Sequence, residues 1–315
     1  MSSRNLVVLF DGTWNDAASR TNLKKLYRVC SRSKQVFHYE EGVGTAFLEA
    51  VPGGVYGKHL DRQILGAYRF LRRRFQDKDW QSKDLTVEHS PKNKVFLFGF
   101  SRGSYAARRT AGLINFCGLP VKAADVELAW QLYLSQDSKS VAALLTSGRL
   151  IKIPIEVVGV WDTVKTTTDS DFNDNILPGC VKFGYQAMAI DEKRKAFKVL
   201  KWRSDKRIRQ VWFTGVHSDV GGGYPVHSLS DIALKWMADS TLAHGLRLKG
   251  SEMGKLKPDP MGELHDSFQG IWKPLGTRVR SISPSSLVHA SVKERMDNSD
   301  YVAPNLPANP EFVSL

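Results

Sequence analysis

Short continuous apolar runs alternate along the chain with longer segments in which apolar residues recur at helical spacing. Four runs are long enough for strands buried on both faces: LVVLF at 6–10, VFLF at 95–98, IPIEVVGVW at 153–161 and RQVWFTGV at 209–216. A further strand is predicted at 35–39. Helices are predicted directly after VFLF and at 21–29, 62–75, 123–136, 181–190 and 230–246. This alternation predicts an α/β fold with a mostly parallel, doubly wound sheet and helices on both faces.

The polar and glycine-rich segments between these elements predict connections. Residues 42–57, 77–94 and 163–178 have the composition of loops. From about residue 249 the periodicity is poor, and Pro, Gly and Ser are frequent. We therefore expect one domain over 1–315, with a core at about 5–246 and with residues 250–315 as irregular chain wrapped around it.

The VFLF run leads directly into GFSRG at 99–103, which fits the pattern G-x-S-x-G. A strand, a tight turn and a helix are the context in which this motif presents a nucleophilic serine in α/β-hydrolases. The turn strains the serine backbone, so its neighbours two residues away must be small, and Gly99 and Gly103 carry no Cβ. The alternative is a serine in an ordinary strand-to-helix turn. The context favours Ser101 as the nucleophile of an α/β-hydrolase-like fold.

A serine hydroxyl needs a base to take its proton and a third group to orient that base. Among the eight histidines, His217 is the one that directly follows a buried strand and enters a glycine-rich loop. Asp162 directly follows the preceding buried strand. Ser101, Asp162 and His217 thus occur in the chain order that α/β-hydrolases use. Asp219, only two residues from His217, is a rival orienting acid and a candidate contact for substrate.

The oxyanion of a tetrahedral intermediate needs two aligned donors. One is predicted to be the N–H of Arg102, which follows the nucleophile, and the other to come from Gly12 and Thr13 after the first strand. Asp11 either binds a substrate hydroxyl or caps its own turn.

A metal site is a competing interpretation of the polar residues at the ends of the strands. Asp11, Asp162, His217 and Asp219 are ligand types, but they lack any spacing of the H-E-x-x-H kind. The sequence therefore predicts neither a metal nor a cofactor.

The motifs LFDGTWND, GVGT, AYRFL, GFSRGSYAARRTAGLI, GVWDTV and VWFTGVHSDVGGGYP occur in this order between about residues 6 and 246. In this arrangement the chain resembles the catalytic-domain family of type VI secretion lipase effectors. The resemblance implies a Ser-Asp-His hydrolase, with phospholipase activity in the antibacterial members. By motif position it implies Ser101 as nucleophile, Asp162 as acid and His217 as base. Gln186 stands where this family is expected to have histidine, and the large membrane-anchoring region of the toxin members is not expected here.

The composition changes the expected partners more than the expected fold. The chain has 45 Lys and Arg against 32 Asp and Glu, a formal net charge of +13. Such a charge favours an anionic membrane surface, and no helix-turn-helix or aromatic-interleaved pattern favours nucleic acid. The alternative is a basic, solvated surface without a partner. The patterning leaves the oligomeric state open.

The start of the chain and its cysteines predict where the protein works. No signal peptide or transmembrane run is expected, and three widely spaced cysteines are typical of reduced thiols. We therefore expect a cytoplasmic protein, for which export by a signal-independent secretion system stays open.

These patterns predict a serine esterase or lipase that cleaves carboxylic esters, with lipid or phospholipid acyl esters as the expected substrates. A soluble esterase, thioesterase or amidase for small molecules is the alternative within the same chemistry. A non-catalytic basic binding protein on a hydrolase scaffold is the alternative from another class, and it predicts a missing triad member.

Overall fold

The computed structural model describes residues 4–12, 20–42, 54–75, 93–165 and 174–315. Within these ranges one eight-stranded sheet forms the centre of the molecule. Its strands are β1 (Asn5–Phe10), β2 (Gln35–Glu40), β3 (Lys94–Phe100), β6 (Ile155–Trp161), β7 (Val181–Ala189), β8 (Ile208–Phe213), β9 (Leu287–His289) and β10 (Glu311–Val313). A separate antiparallel pair is formed by β4 (Leu119–Pro120) and β5 (Leu150–Ile151).

The helices of the described ranges follow the strands or lie between them. They are α1 (Asn22–Val29), α2 (Gly54–Phe75), α3 (Arg102–Cys117), α4 (Asp125–Leu134), α5 (Ser138–Thr146), α6 (His217–Gly221), α7 (Ser228–Leu242), α8 (Gly250–Met253) and α9 (Ala290–Asn298). Short 3₁₀ helices occupy Lys195–Phe197 and Gly270–Leu275.

The large sheet has the order β2-β1-β3-β6-β7-β8-β9-β10, and all its described neighbours pair in parallel. The chain first moves from β1 outward to β2 and then returns to β3 on the other side of β1. Ligands of open α/β sheets bind at such a reversal, outside the carboxyl ends of the strands. The fold therefore places a site beside the carboxyl ends of β1 and β3. Ser101 is the first residue after β3.

Alternate residues of the central strands are buried on opposite faces of the sheet. Leu6, Val8 and Phe10 of β1 pack into a core with residues of α2, α3, α4 and α5. Val7 and Leu9 pack on the opposite face with residues of α1 and α7. Both faces are thus covered by helices, which confirms the predicted α/β fold with a parallel, doubly wound sheet.

The prediction of a helix at 181–190 is wrong, because this segment is strand β7 between β6 and β8. Gln186, Ala187 and Met188 are acceptable helix formers, and they misled the prediction. In the structure Ala187 and Ala189 are buried in one core of the sheet and Met188 in another. Packing on both faces overrides the local preference, as it does in many strands.

Residues 250–315 also differ from the irregular wrap that was expected. They contain β9 and β10, which extend the large sheet beyond β8, as well as helix α9. Each of these strands has only three residues, which is too short for periodicity to reveal it.

Candidate active site

Ser101 occupies a strained turn between β3 and α3. Its φ is +58° and its ψ is −123°, a conformation that costs a non-glycine residue about 1–3 kcal/mol. A Cβ on Gly103 would lie 2.1 Å from the carbonyl oxygen of Phe10, and a Cβ on Gly99 would lie 2.4 Å from that of Gly103. Both positions of the G-x-S-x-G pattern therefore require glycine for lack of space, as the sequence predicted.

Hydrogen bonds to the end of β6 hold the turn in place. The Ser101 N–H donates to the carbonyl of Trp161 at 3.0 Å, and the Ser104 hydroxyl donates to the same carbonyl at 2.8 Å. The N–H of Val164 donates in turn to the Ser101 carbonyl at 3.3 Å. Only 4 % of Ser101 is exposed. The serine is thus fixed against the segment that carries Asp162.

Asp162 directly follows β6 and is fully buried. Its N–H donates to Ala187 of β7 at 2.8 Å, and its Oδ1 accepts the N–H of Ala189 at 3.0 Å. Its φ is +42°, so the backbone turns sharply at the end of the strand. These contacts hold the carboxylate at the end of β7.

His217 is the first residue of α6, the short helix after β8, and its Nδ1 lies 2.6 Å from Oδ2 of Asp162. A carboxylate at this distance accepts the Nδ1 proton, which leaves the Nε2 lone pair available as an acceptor. The imidazole packs against Phe100, the residue before Ser101, with ring centroids 4.6 Å apart, and against the ring of Phe197 at 4.9 Å. The structure therefore gathers the elbow of Ser101, Asp162 and His217 at one edge of the sheet.

The environment sets the charges of this pair in a way that suits a base. Burial lowers the pKa of His217 below its usual value, although the hydrogen bond and the charge of Asp162 act to raise it. Burial alone would raise the pKa of Asp162, but the charge of Arg280 and the hydrogen bonds from His217 and Arg280 lower it overall. The pair is thus a carboxylate beside a neutral imidazole at neutral pH.

Arg280 is a member of the site that the sequence analysis missed. Its Nη1 lies 2.5 Å from Oδ1 of Asp162, and its Nη2 lies 2.8 Å from Oδ2. Arg280 lies 118 positions after Asp162, in the segment expected to be irregular, and no motif or periodicity marks it. Its role becomes visible only when the fold brings the two residues together.

Glu192 is a second buried acid near His217 that the sequence analysis missed. Its Oε2 accepts the backbone N–H of His217 at 3.2 Å, and its carboxylate binds Arg194 and the hydroxyl of Ser267. The guanidinium of Arg194 also lies 3.5 Å above the ring of Phe197. Glu192 thus fixes the start of α6 from the backbone side.

Asp219 faces away from His217 toward a different histidine. Its Oδ1 lies 2.6 Å from Nδ1 of His265, and its Oδ2 accepts the backbone N–H groups of Val216 and His265 at 3.0 and 3.2 Å. Both of its oxygens therefore have partners within the protein. Burial nevertheless raises the pKa of Asp219.

Asp11 lies at the end of β1 and is buried. Its carboxylate accepts the N–H of Gly12 at 2.7 Å, the hydroxyl of Thr21 at 2.8 Å and the hydroxyl of Tyr39. Burial raises its pKa in spite of these donors. Thr13, the other predicted oxyanion donor of this turn, lies outside the described residues.

Gln186 is buried in the middle of β7, close to the end of β6. Its Oε1 accepts the hydroxyl of Thr163 at 2.6 Å, and its Nε2 donates to the carbonyl of Leu200 at 3.1 Å. This residue therefore ties the segment after Asp162 to the chain that precedes β8.

Two further properties concern the described part of the chain. Its histidines, cysteines and acids form no group of three or more that could hold a metal ion, so Asp11, Asp162, His217 and Asp219 are not gathered as ligands. Within the same ranges, each helix is too short or too polar to pass through a bilayer.

Three known proteins illustrate the similarities of the chain. The uncharacterized protein YEL023C of Saccharomyces cerevisiae is 27 % identical over 238 residues, which cover 63 % of this chain and 33 % of the yeast protein. The solved structure of an uncharacterized protein from Pseudomonas aeruginosa is 16 % identical with a TM-score of 0.46, over 80 % of this chain and 47 % of that chain. The structure of the Tle1 effector bound to the VgrG spike from the type 6 secretion system is 19 % identical with a TM-score of 0.37, over 71 % and 52 %.

The chain spans between 33 % and 52 % of the length of these relatives. Residues 4–240 match the family described as T6SS, Phospholipase effector Tle1-like, catalytic domain. This match covers more than half of the chain and confirms the resemblance that the motifs predicted. The protein therefore belongs to the Tle1-like catalytic-domain family of T6SS phospholipase effectors.

Proposed function

We propose that the protein is a serine hydrolase that cleaves carboxylic esters with Ser101 as nucleophile, His217 as general base and Asp162 as orienting acid. One observation carries the proposal: a strained serine in a G-x-S-x-G turn lies beside a buried Asp-His pair joined at 2.6 Å. Either feature alone has structural explanations. Their position side by side is what favours a catalytic site.

The reaction follows from these positions. The Ser101 hydroxyl attacks the acyl carbon of the ester while Nε2 of His217 takes its proton, and Asp162 stabilises the imidazolium that forms. When the tetrahedral intermediate collapses, His217 returns this proton to the departing alcohol oxygen. Water, activated by the same imidazole, then attacks the acyl-serine and releases the carboxylic acid and the free hydroxyl of Ser101.

The oxyanion of this intermediate needs donors beside the nucleophile. Arg102 is the first residue of α3, and we assign its N–H as one donor because amides at a helix start point toward an anion placed there. The Gly12 N–H donates to the carboxylate of Asp11, and we therefore do not assign it as the second donor. We infer that Asp11, with its three donors, shapes the turn after β1 rather than binding substrate.

The proposed substrates are phospholipid acyl esters at an anionic membrane surface. Membership of a family of phospholipase effector catalytic domains supports the lipid class. The net charge of +13 supports an anionic surface. Hydrolysis of short soluble esters without hydrolysis of phospholipid vesicles would instead assign the protein to the soluble esterases.

Labelling with a fluorophosphonate probe tests the nucleophile. The wild type should be labelled covalently, and Ser101→Ala should not. Ser104→Ala is the matched control, because it removes a buried hydroxyl three residues away, at the start of α3, and should still be labelled. Labelling that persists in Ser101→Ala would overturn the proposal.

A further inference from the structure

The guanidinium of Arg280 connects three separate parts of the proposed active site. Nη1 binds Oδ1 of Asp162 and donates to the carbonyl of Ala189 at 2.8 Å. Nη2 binds Oδ2 of Asp162 and donates to the carbonyl of Phe197 at 2.8 Å. The arginine is buried, and it lies outside residues 4–240 that match the family.

Together these contacts determine the orientation of the Asp162 carboxylate. Oδ1 accepts from Arg280 and from the N–H of Ala189, while Oδ2 accepts from Arg280 and lies 2.6 Å from Nδ1 of His217. A planar fork that binds both oxygens prevents the carboxylate from rotating about its terminal bond. A lysine ammonium would bind as a point charge and would not impose a plane.

We propose that Arg280 is a positioning residue, which holds the carboxylate of Asp162 in the plane that orients the imidazole of His217. The inference rests on the proposed function, since it assigns Asp162 and His217 to the reaction. It adds that the chain beyond the matched segment completes the site. Arg280 acts through Asp162 and not by contact with the ester.

The charges around the pair explain why a cation is needed at this point. Asp162 faces His217 of α6 and Arg280, and His217 also faces Glu192 and Arg194. Two carboxylates and two guanidinium groups therefore surround one neutral imidazole in a buried region. Removal of Arg280 leaves the negative charges in excess, which favours protonation of the imidazole and also of Asp162. Protonation of either group inactivates the base. Removal of Arg280 therefore shifts the acid limb, the low-pH side of the pH–activity profile, to higher pH.

A structural brace between β7 and the C-terminal segment is the alternative role for the same contacts. A brace predicts a loss of stability with an unchanged pH profile in the molecules that remain folded. A positioning residue predicts a lower kcat with an altered pH profile. The two roles are therefore separated by kinetics and not by thermal unfolding.

The experiment compares Arg280→Gln and Arg280→Lys with Arg207→Gln as matched control. Arg207 likewise binds a carboxylate, that of Asp205, with two nitrogens and donates to the carbonyl of Val181 at 2.6 Å, but it has no contact with Asp162. The kcat and KM for a nitrophenyl ester are measured against pH, and folding is checked by circular dichroism. A displaced catalytic group costs about 10²-fold in rate, so kcat of Arg280→Gln should fall by about that factor with little change in KM.

The acid limb of Arg280→Gln should also move to higher pH. Arg280→Lys should keep the acid limb near that of the wild type, because the charge remains, and should lose part of kcat, because the fork is lost. Arg207→Gln should keep both the wild-type kcat and the wild-type limb. An NMR signal from the proton on Nδ1 of His217, shifted downfield by the short bond to Asp162, should weaken in both Arg280 variants.

The outcomes separate this inference from the proposed function. A wild type in which Ser101 is not the labelled residue would remove the proposed function, whatever the Arg280 variants do. A labelled wild type with Arg280→Gln of unchanged kcat and pH profile would overturn the positioning role alone. If Arg280→Gln does not fold, Arg280→Lys decides, because full wild-type kcat in that variant would show that the fork is not required.

Discussion

In the part of the chain that the structure describes, two buried or half-buried Asp-His pairs share the same short contact. Asp162 meets His217, and Asp219 meets His265, in both cases with 2.6 Å between a carboxylate oxygen and Nδ1. The pairs are adjacent, since His217 and Asp219 both belong to α6. Distance alone therefore cannot distinguish a catalytic pair from a structural one here.

The surroundings of the two carboxylates shift their pKa values in opposite directions. Arg280 binds both oxygens of Asp162 and lowers its pKa against the effect of burial. Asp219 accepts backbone N–H groups and His265, and burial raises its pKa. The first carboxylate is thus held as an anion, which a group that stabilises a transient imidazolium requires.

The two histidines also differ in what covers them. The ring of His217 lies between Phe100 and Phe197 beside the strained serine. The ring of His265 stacks on Tyr224, with centroids 3.9 Å apart, and remains partly exposed. Proximity to the serine turn and to a compensating cation therefore identifies the pair that we assign to catalysis.

The largest expected difference is between the removal of the His217 imidazole and the removal of the His265 imidazole. His217→Ala should lose activity by about 10⁶-fold, as much as Ser101→Ala, and the double variant should lose little more, because the residues act as one unit. His265→Ala should stay within the same order of magnitude as the wild type. Turnover of a nitrophenyl ester measures all four proteins. An inactive but folded His265→Ala, with an active His217→Ala, would exchange the roles of the two pairs.

The next largest difference in activity is expected between the amide variants of the two acids. Asp162→Asn should reduce kcat by about 10⁴-fold, because the amide no longer fixes the tautomer of His217. Asp219→Asn should leave turnover within the same order of magnitude, because its amide oxygen can still accept the N–H of Val216. Steady-state kinetics of both variants, with circular dichroism as the folding control, test the assignment. A larger loss in Asp219→Asn than in Asp162→Asn would contradict it.

The sequence predicted much of this arrangement because the relevant signals are local. Ser101 follows a buried strand inside a motif with small residues at fixed spacing, and Asp162 and His217 each follow a buried run. Parallel strands bring their carboxyl ends to one edge, so placement after a strand implies proximity. The same argument left Asp219 as a rival to Asp162, because Asp219 lies only two residues from His217 in the chain.

What the sequence could not reveal depends on packing or on distant contacts. Strand β7 was missed because its residues tolerate a helix and only its neighbours in the sheet decide otherwise. Arg280 was missed because its contact with Asp162 spans 118 positions and its own segment has no periodicity. One basic residue among 45 is not distinguished by its type, but only by the fold around it.

A smaller effect should appear in the pH dependence of activity. Burial lowers the pKa of His217 below its usual 6.5, so the imidazole stays neutral to lower pH than a solvated histidine does. The acid limb of kcat/KM for the free enzyme should therefore lie below pH 6.5. His265→Gln should leave the limb in place, because that ring takes no part in proton transfer. A limb well above this value in the wild type, or one that moves in His265→Gln, would contradict the comparison.

The smallest expected effect concerns stability. A histidine whose folded pKa is depressed contributes stability that is present above its unfolded pKa and is lost as the pH falls. For His217 this loss begins near 6.5 and amounts to about 1.4 kcal/mol for each unit of depression. Between pH 7.5 and pH 5.5, the Tm of the wild type should therefore fall more than that of His217→Gln.

Asp219 should give the opposite pH dependence of stability in the same Tm measurement. A carboxyl whose folded pKa is raised contributes stability below its unfolded pKa, and this is lost as the pH rises from 3.8 through the raised value. Asp219→Asn should therefore gain Tm relative to the wild type on going from acid to neutral pH, whereas His217→Gln gains it in the other direction. Thermal unfolding of the three proteins over a pH series measures both. Parallel curves for all three would show that the two pairs do not differ in the way that their surroundings indicate.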